Sequence, residues 1–144
     1  MSKELIGIAV DHGGFALKQP IVEELHSLGF EVLDLGTYDE ESVDYPDIAE
    51  KLVGAFKDNR IDRGVLVCGT GIGISIAANR HAGIRAALCY DDETAMLSRQ
   101  HNDANVMCLG GRKTGPDQAR EMIRIFLATK FEGGRHARRV DKLG

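Results

Sequence analysis

The sequence predicts an α/β fold: one three-layer αβα, Rossmann-like domain over residues 1–144, built around a five-stranded parallel sheet. Two observations lead to it. Short apolar, β-branched runs alternate with segments of helical period, which is the alternation of βαβ units. No internal repeat, linker or low-complexity tract interrupts that alternation, and 144 residues suffice for one domain with a real core but not for two ordinary ones.

The first strand is expected at Leu5 to Val10. The helix after it carries Leu17, Ile21, Val22, Leu25 and Leu28 on one face, with Gly29 where a C-terminal cap belongs. Pro20 falls near the end of the first turn and leaves the start of that helix open. Glu31 to Leu35 reads as the second strand, followed by a helix bearing Ile48, Leu52, Val53 and Phe56. Gly64 to Cys68 is the third strand, with a helix from near Ile74 to Arg80. The fourth strand, Ile84 to Leu88, leads into a helix over Asp91 to Gln100. The last strand, Asn105 to Leu109, precedes a helix from Pro116 to Lys130 whose apolar residues include Met122, Ile123, Phe126 and Leu127. Pro116 suits a first helical turn. The segment 131–144 contains the basic island Arg135-His136-Ala137-Arg138-Arg139.

Composition excludes several classes. With 43% hydrophobic and 28% charged residues the chain has a soluble globular profile, and no apolar run approaches the length needed to span a bilayer. The start, Met1-Ser2-Lys3-Glu4, lacks the pattern of a signal peptide, so the expected compartment is the cytosol. A net charge of −4 does not advertise nucleic acid or an anionic membrane as a partner. Cys68, Cys89 and Cys108 are odd in number and far apart, which fits neither a disulfide framework nor a zinc knuckle. Two of the three read as small buried hydrophobes, and no metal site is expected.

Open parallel sheets bind ligands outside the carboxyl ends of their strands. Two segments fall there: Asp11-His12-Gly13-Gly14 after the first strand and Cys68-Gly69-Thr70-Gly71-Ile72-Gly73 after the third. In the second, glycines at alternate positions let backbone N–H groups converge on an anion, aided by a helix N-terminus. The plainer alternative is a tight strand-to-helix turn. The dinucleotide fingerprint needs a glycine where Ile74 stands, the Walker G-K-[ST] is absent, and a cysteine phosphatase loop would need arginine at that same position. An anion loop with a thiol at its mouth remains. An unperturbed thiol, pKa about 8.5, is only about 3% thiolate at pH 7, but N–H donors and a helix N-terminus lower that value. A base poised near neutrality is what deprotonation of carbon beside a carbonyl requires.

Asp11-His12-Gly13-Gly14, Asp44-Tyr45-Pro46, the stretch from Cys68 to Asn79, Ser98-Arg99-Gln100-His101-Asn102-Asp103 and Gly133-Gly134-Arg135-His136 together resemble the type B ribose-5-phosphate isomerases, a branch of the ribose and galactose 6-phosphate isomerase family. The resemblance covers essentially the whole chain. It implies interconversion of D-ribose 5-phosphate and D-ribulose 5-phosphate through an enediolate, in pentose-phosphate metabolism and with no cofactor. It implies Cys68 as the base moving a proton between C2 and C1, with Thr70 passing a proton between the substrate oxygens. The backbone from Gly69 through Gly71, Ile72 and Gly73 to Ile74 would hold the oxyanion. His101 would open the furanose ring; Asp11, His12 and Asn102 would contact sugar or phosphate; Arg112, Arg135 and Arg139 would bind the phosphate. A second branch of the family has glutamate where this chain has Ile74, which places the chain in the cysteine branch.

The residues themselves allow plainer roles. Arg135 and Arg139 lie four apart, so a helical tail would align both guanidinium groups for a phosphate, but a basic tail can equally be a solvated face. His12 beside Asp11 can be a hydrogen-bonded turn, His101 a helix C-cap, and Tyr45 a packed loop aromatic rather than a wall of the sugar pocket. His81 and His136 read as structural or secondary. Placement along the sheet adds one expectation. Cys68 and Asp11 follow strands, whereas His101 and Asn102 end a helix that returns to the opposite edge, about 17 Å away. A homodimer with shared sites, alone or as a dimer of dimers, would unite them. The alternatives are an allose or galactose 6-phosphate isomerase and a non-catalytic sugar-phosphate sensor on the same fold.

Overall fold

The computed structural model describes residues 3–144. In chain order its elements are β1 (Leu5–Val10), α1 (Phe15–Ser27), β2 (Glu31–Asp34), α2 (Tyr45–Lys57), β3 (Arg63–Cys68), α3 (Ile72–Asn79), β4 (Ala86–Leu88), α4 (Asp92–Gln100), β5 (Val106–Gly110), α5 (Pro116–Ala128) and α6 (Arg135–Asp141). All five strands are parallel, in the order β2-β1-β3-β5-β4. The three central strands are buried almost end to end, while β2 and β4 at the edges are only partly covered. Near-continuous burial is what a parallel sheet clad on both faces demands.

The strand order fixes the layers. Parallel crossovers are right-handed, so connections running in opposite directions across the sheet place their helices on opposite faces. The steps from β1 to β2 and from β4 to β5 run one way; those from β2 to β3 and from β3 to β4 run the other. Accordingly α1 and α4 both pack on α5 over one face, and α2 packs on α3 over the other. The alternating side chains of each central strand feed two cores. One joins Ile6, Ile8 and Val10 to Ile21 and Leu25 of α1 and to Phe126 of α5; the other joins Leu66, Cys68 and Cys108 to Leu52 and Ile74.

Several boundaries differ from the sequence reading, each for a local reason. Helix α3 starts at Ile72 rather than near Ile74, because Gly71 turns the chain in the left-handed region (φ 83°) and releases it directly into the helix. Pro20 lies inside α1, which begins at Phe15. Gly29 takes φ 92° just past the end of that helix, as a C-terminal glycine should. Strand β4 is three residues long, since the Arg85 N–H donates to the Asn105 side-chain oxygen at 2.8 Å instead of extending a ladder. The last helix before the tail ends at Ala128, where Thr129 turns extended. The basic tail is helical over Arg135–Asp141, which meets the condition under which Arg135 and Arg139 share one face. Among the described residues no helix is long and apolar enough to cross a membrane.

Candidate active site

The loops following β1, β3 and β5 meet at the carboxyl edge, where the chain leaves β1 toward one face and β3 toward the other. Such a divergence between adjacent strands opens a crevice. Main-chain bonds knit the loops: Asp11 N–H donates to Val67 O at 3.0 Å, Gly111 N–H to Cys68 O at 2.7 Å and Arg112 N–H to Gly69 O at 3.0 Å. Approach this close requires glycine. A Cβ on Gly14 would stand 2.5 Å from Val67 O, and one on Gly111 would stand 2.3 Å from Gly13 O.

Cys68, the last residue of β3, is only 5% exposed, and its Sγ accepts the Gly71 N–H at 3.1 Å. Thr70 Oγ1 accepts from Ile72 N–H at 3.2 Å. The next amides of the α3 first turn, Gly73 and Ile74, donate to no oxygen among the described residues, so they stay open to an anion. Tyr45 is the first residue of α2 rather than part of a loop, and its ring lies against Gly73, where a Cβ would come within 2.7 Å of it. The Arg112 guanidinium lies over Gly69 in the same way. His12 Nδ1 accepts the Val43 N–H at 3.1 Å, which in the neutral ring puts the proton on Nε2. Asp11 is buried, and its Oδ1 accepts from Gly13 N–H at 2.8 Å and Gly14 N–H at 3.1 Å, so it anchors its own loop. The carboxyl edge thus gathers Asp11, His12, Tyr45, Cys68, Gly69, Thr70, Gly71, Ile72, Gly73 and Arg112.

The remaining candidates lie elsewhere. His101 is the C-cap of α4, its N–H donating to Leu97 O at 2.9 Å, at the amino edge of the sheet. Its ring stacks on that of His136 with centroids 4.3 Å apart and 12° between planes. Glu132 Oε1 sits 3.9 Å from His101 Nε2 and 3.8 Å from His136 Nε2. Burial, reinforced by His101 and Arg135, holds the His136 ring below the usual histidine pKa. Asn102 is exposed and lines a pocket of about 380 Å³ with Ile84, Ala86 and Leu143. Arg135 and Arg139 are exposed one turn apart on α6. Arg63, Arg85, Arg99, Arg120 and Arg124 each hold a carboxylate, whereas Arg112, Arg135 and Arg139 hold none among the described residues. The length of a six-residue strand, about 20 Å, separates the two groups.

One trio could be considered for a metal: the ligand atoms of His101, Glu132 and His136 lie within 4.8 Å of one another. Nearly parallel stacked rings cannot both point an in-plane lone pair at one ion, so the trio as arranged does not fit a metal. The other two cysteines are packing groups. Burial pushes the Cys89 thiol up to about 11 and Cys108 well above its ordinary value. Two polar contacts escaped the sequence reading. Glu132 joins the histidine pair, and the Tyr90 hydroxyl donates to Thr70 O at 2.9 Å. Tyr90 could have been found from its place just past the fourth strand, on the edge that holds the thiol.

Comparison with known proteins places this architecture among relatives. The family model described as Ribose/Galactose Isomerase matches residues 6–143. Ribose-5-phosphate isomerase B of Escherichia coli strain K12 is 46% identical over 138 residues, covering 96% of this chain and 93% of its own. A ribose 5-phosphate isomerase crystal structure from Thermotoga maritima superposes with a TM-score of 0.95 at 51% identity, covering 99% of this chain and 98% of that one. The type B ribose 5-phosphate isomerase of Trypanosoma brucei gives 0.94 at 47% identity, covering 99% and 97%.

Proposed function

This chain belongs to the ribose/galactose isomerase family, and from that premise we propose that it interconverts D-ribose 5-phosphate and D-ribulose 5-phosphate. The observation that carries the reading is the Cys68 thiol, held by one loop amide beside the open first-turn amides of α3. In the mechanism, His101 gives a proton to the ring oxygen as the bond from C1 breaks and the C1 hydroxyl loses its proton. The Cys68 thiolate then removes the proton on C2, and the electron pair moves toward the C1 oxygen, where the open amides meet the developing charge. Thr70 passes a proton between the two oxygens, and Cys68 returns its proton to C1 to give the ketose. Arg112, Arg135, Arg139 and His12 bind the phosphate, for which unpaired guanidinium groups are suited.

Each site is then shared by a homodimer, with the thiol loop from one copy and His101, Asn102 and the α6 arginines from the other. Ile72 and Ile76, 49% and 58% exposed one turn apart on α3, and Leu143 on the tail, 66% exposed, supply apolar surface for a second copy to cover. A role in pentose-phosphate metabolism, in the cytosol and without a cofactor, accords with this chemistry.

The test is isomerisation of ribose 5-, allose 6- and galactose 6-phosphate side by side, with Cys68→Ala in parallel. Turnover of the ribose ester, lost in the variant while binding stays within a few-fold, is expected. Turnover of a hexose phosphate alone would overturn the substrate assignment, and an active Cys68→Ala enzyme would overturn the base.

A further inference from the structure

Tyr90 lies between the end of β4 and Asp91, the N-cap of α4, and its side chain is 46% exposed. Its backbone N–H donates to Thr94 Oγ1 at 3.3 Å, within the capping box that Thr94 and Asp91 form, so the start of α4 holds it in place. From there its hydroxyl reaches Thr70 O at 2.9 Å. No other donor reaches that carbonyl among the described residues.

The amide nitrogen of the same peptide unit belongs to Gly71, and its N–H is the one that reaches Cys68 Sγ at 3.1 Å. A peptide unit is planar and trans, so its C=O and N–H point in opposite directions. Fixing the carbonyl therefore fixes where the N–H aims. The unit needs fixing, because Gly71, at φ 83°, adjoins it and glycine tolerates rotation that other residues resist. Turned over, the plane would present the Thr70 oxygen to the sulfur in place of a donor. Hydrogen bonds in series also polarise one another, so a donor on the carbonyl strengthens the N–H beyond it.

We propose that Tyr90 is a positioning residue for the base: its hydroxyl holds the Thr70–Gly71 peptide with the N–H aimed at Cys68, and strengthens that bond to the thiolate. The proposal rests on Cys68 as the base for its catalytic consequence, but not for its effect on the sulfur.

The experiment is Tyr90→Phe in the intact protein, read by the pH profile of iodoacetamide alkylation and by steady-state kinetics. The substitution keeps the ring and removes the donor. Burial keeps Cys89 and Cys108 protonated at neutral pH, so the profile reports Cys68. Alkylation at pH 7 should slow about two- to five-fold, with the profile displaced to higher pH and its alkaline plateau unchanged. The kcat should fall by a similar factor with KM within two-fold. Tyr38→Phe, which removes another exposed hydroxyl whose bond goes to Asp34 O, should leave the profile where it was. A Tyr90→Phe profile that superposes on the parent's overturns the proposal, even if kcat falls. A displaced profile together with an active Cys68→Ala enzyme would support the positioning role and remove Cys68 as the base.

Discussion

At the carboxyl edge of the sheet the candidate groups are set by main chain; at the amino edge they are set by side chains. Three loops lock together through backbone bonds and glycine contacts to hold Cys68, whereas His101, Glu132 and His136 meet through ring stacking and distant charges, and the α6 arginines stand free. At the thiol edge a Cβ on Gly14, Gly110 or Gly111 would meet main chain within 2.5 Å. The histidine edge sets exposed Asn102, Arg135 and Arg139 around a half-buried His101 and a buried His136. Under the proposed function the first edge would fix the base and the second would receive the phosphate, which is how two halves of a shared site would differ.

The largest effect should come from setting the halves against each other. Cys68→Ala and His101→Ala homodimers should each be nearly inactive. In randomly reassorted mixtures about half the dimers are mixed and each has one intact site, so activity should recover to about a quarter of wild type. Co-refolding, or co-expression with two affinity tags, provides the mixture. Mixed dimers no more active than the sum of the parents would place both groups in the same chain's site.

A second contrast concerns folding. Gly14→Ala places a Cβ against the Val67 carbonyl, main chain with no side chain to yield, so unfolding free energy should drop by about 3 kcal/mol, seen by urea titration. Unchanged stability would mean that the edge is less rigidly built than its contacts imply. At the amino edge, Arg135→Ala or Arg139→Ala should leave stability unchanged and raise KM, each weakening binding by about 1.5–3 kcal/mol. Wild-type kinetics in both would make the tail a solvated face.

The sequence made the thiol edge legible because its signals are local. A buried run ending at Cys68, followed by alternate glycines, defines strand, turn and helix start within a dozen residues. The separation of His101 from Cys68 was legible too, since helices after parallel strands must return. What stayed hidden depended on long-range placement. Nothing in Val106–Gly110 says that it inserts between β3 and β4, and the place of Tyr90 past the fourth strand puts it on the thiol edge without saying that it reaches Thr70, twenty residues earlier. Nothing in Glu132 says that the fold sets two histidine rings beside it.

The insertion of β5 between β3 and β4 also bears on how the chain is made. Synthesis delivers β4 before the strand that must lie next to it, so a nascent chain carries an unpaired edge on β3 and an orphan β4 until Val106–Gly110 emerges. The same late segment brings Gly111, whose N–H ties down the Cys68 carbonyl, and Arg112, which lies over Gly69. A chain halted before that segment therefore carries Cys68 without its setting, and the loop around the thiol is complete only when the sheet closes.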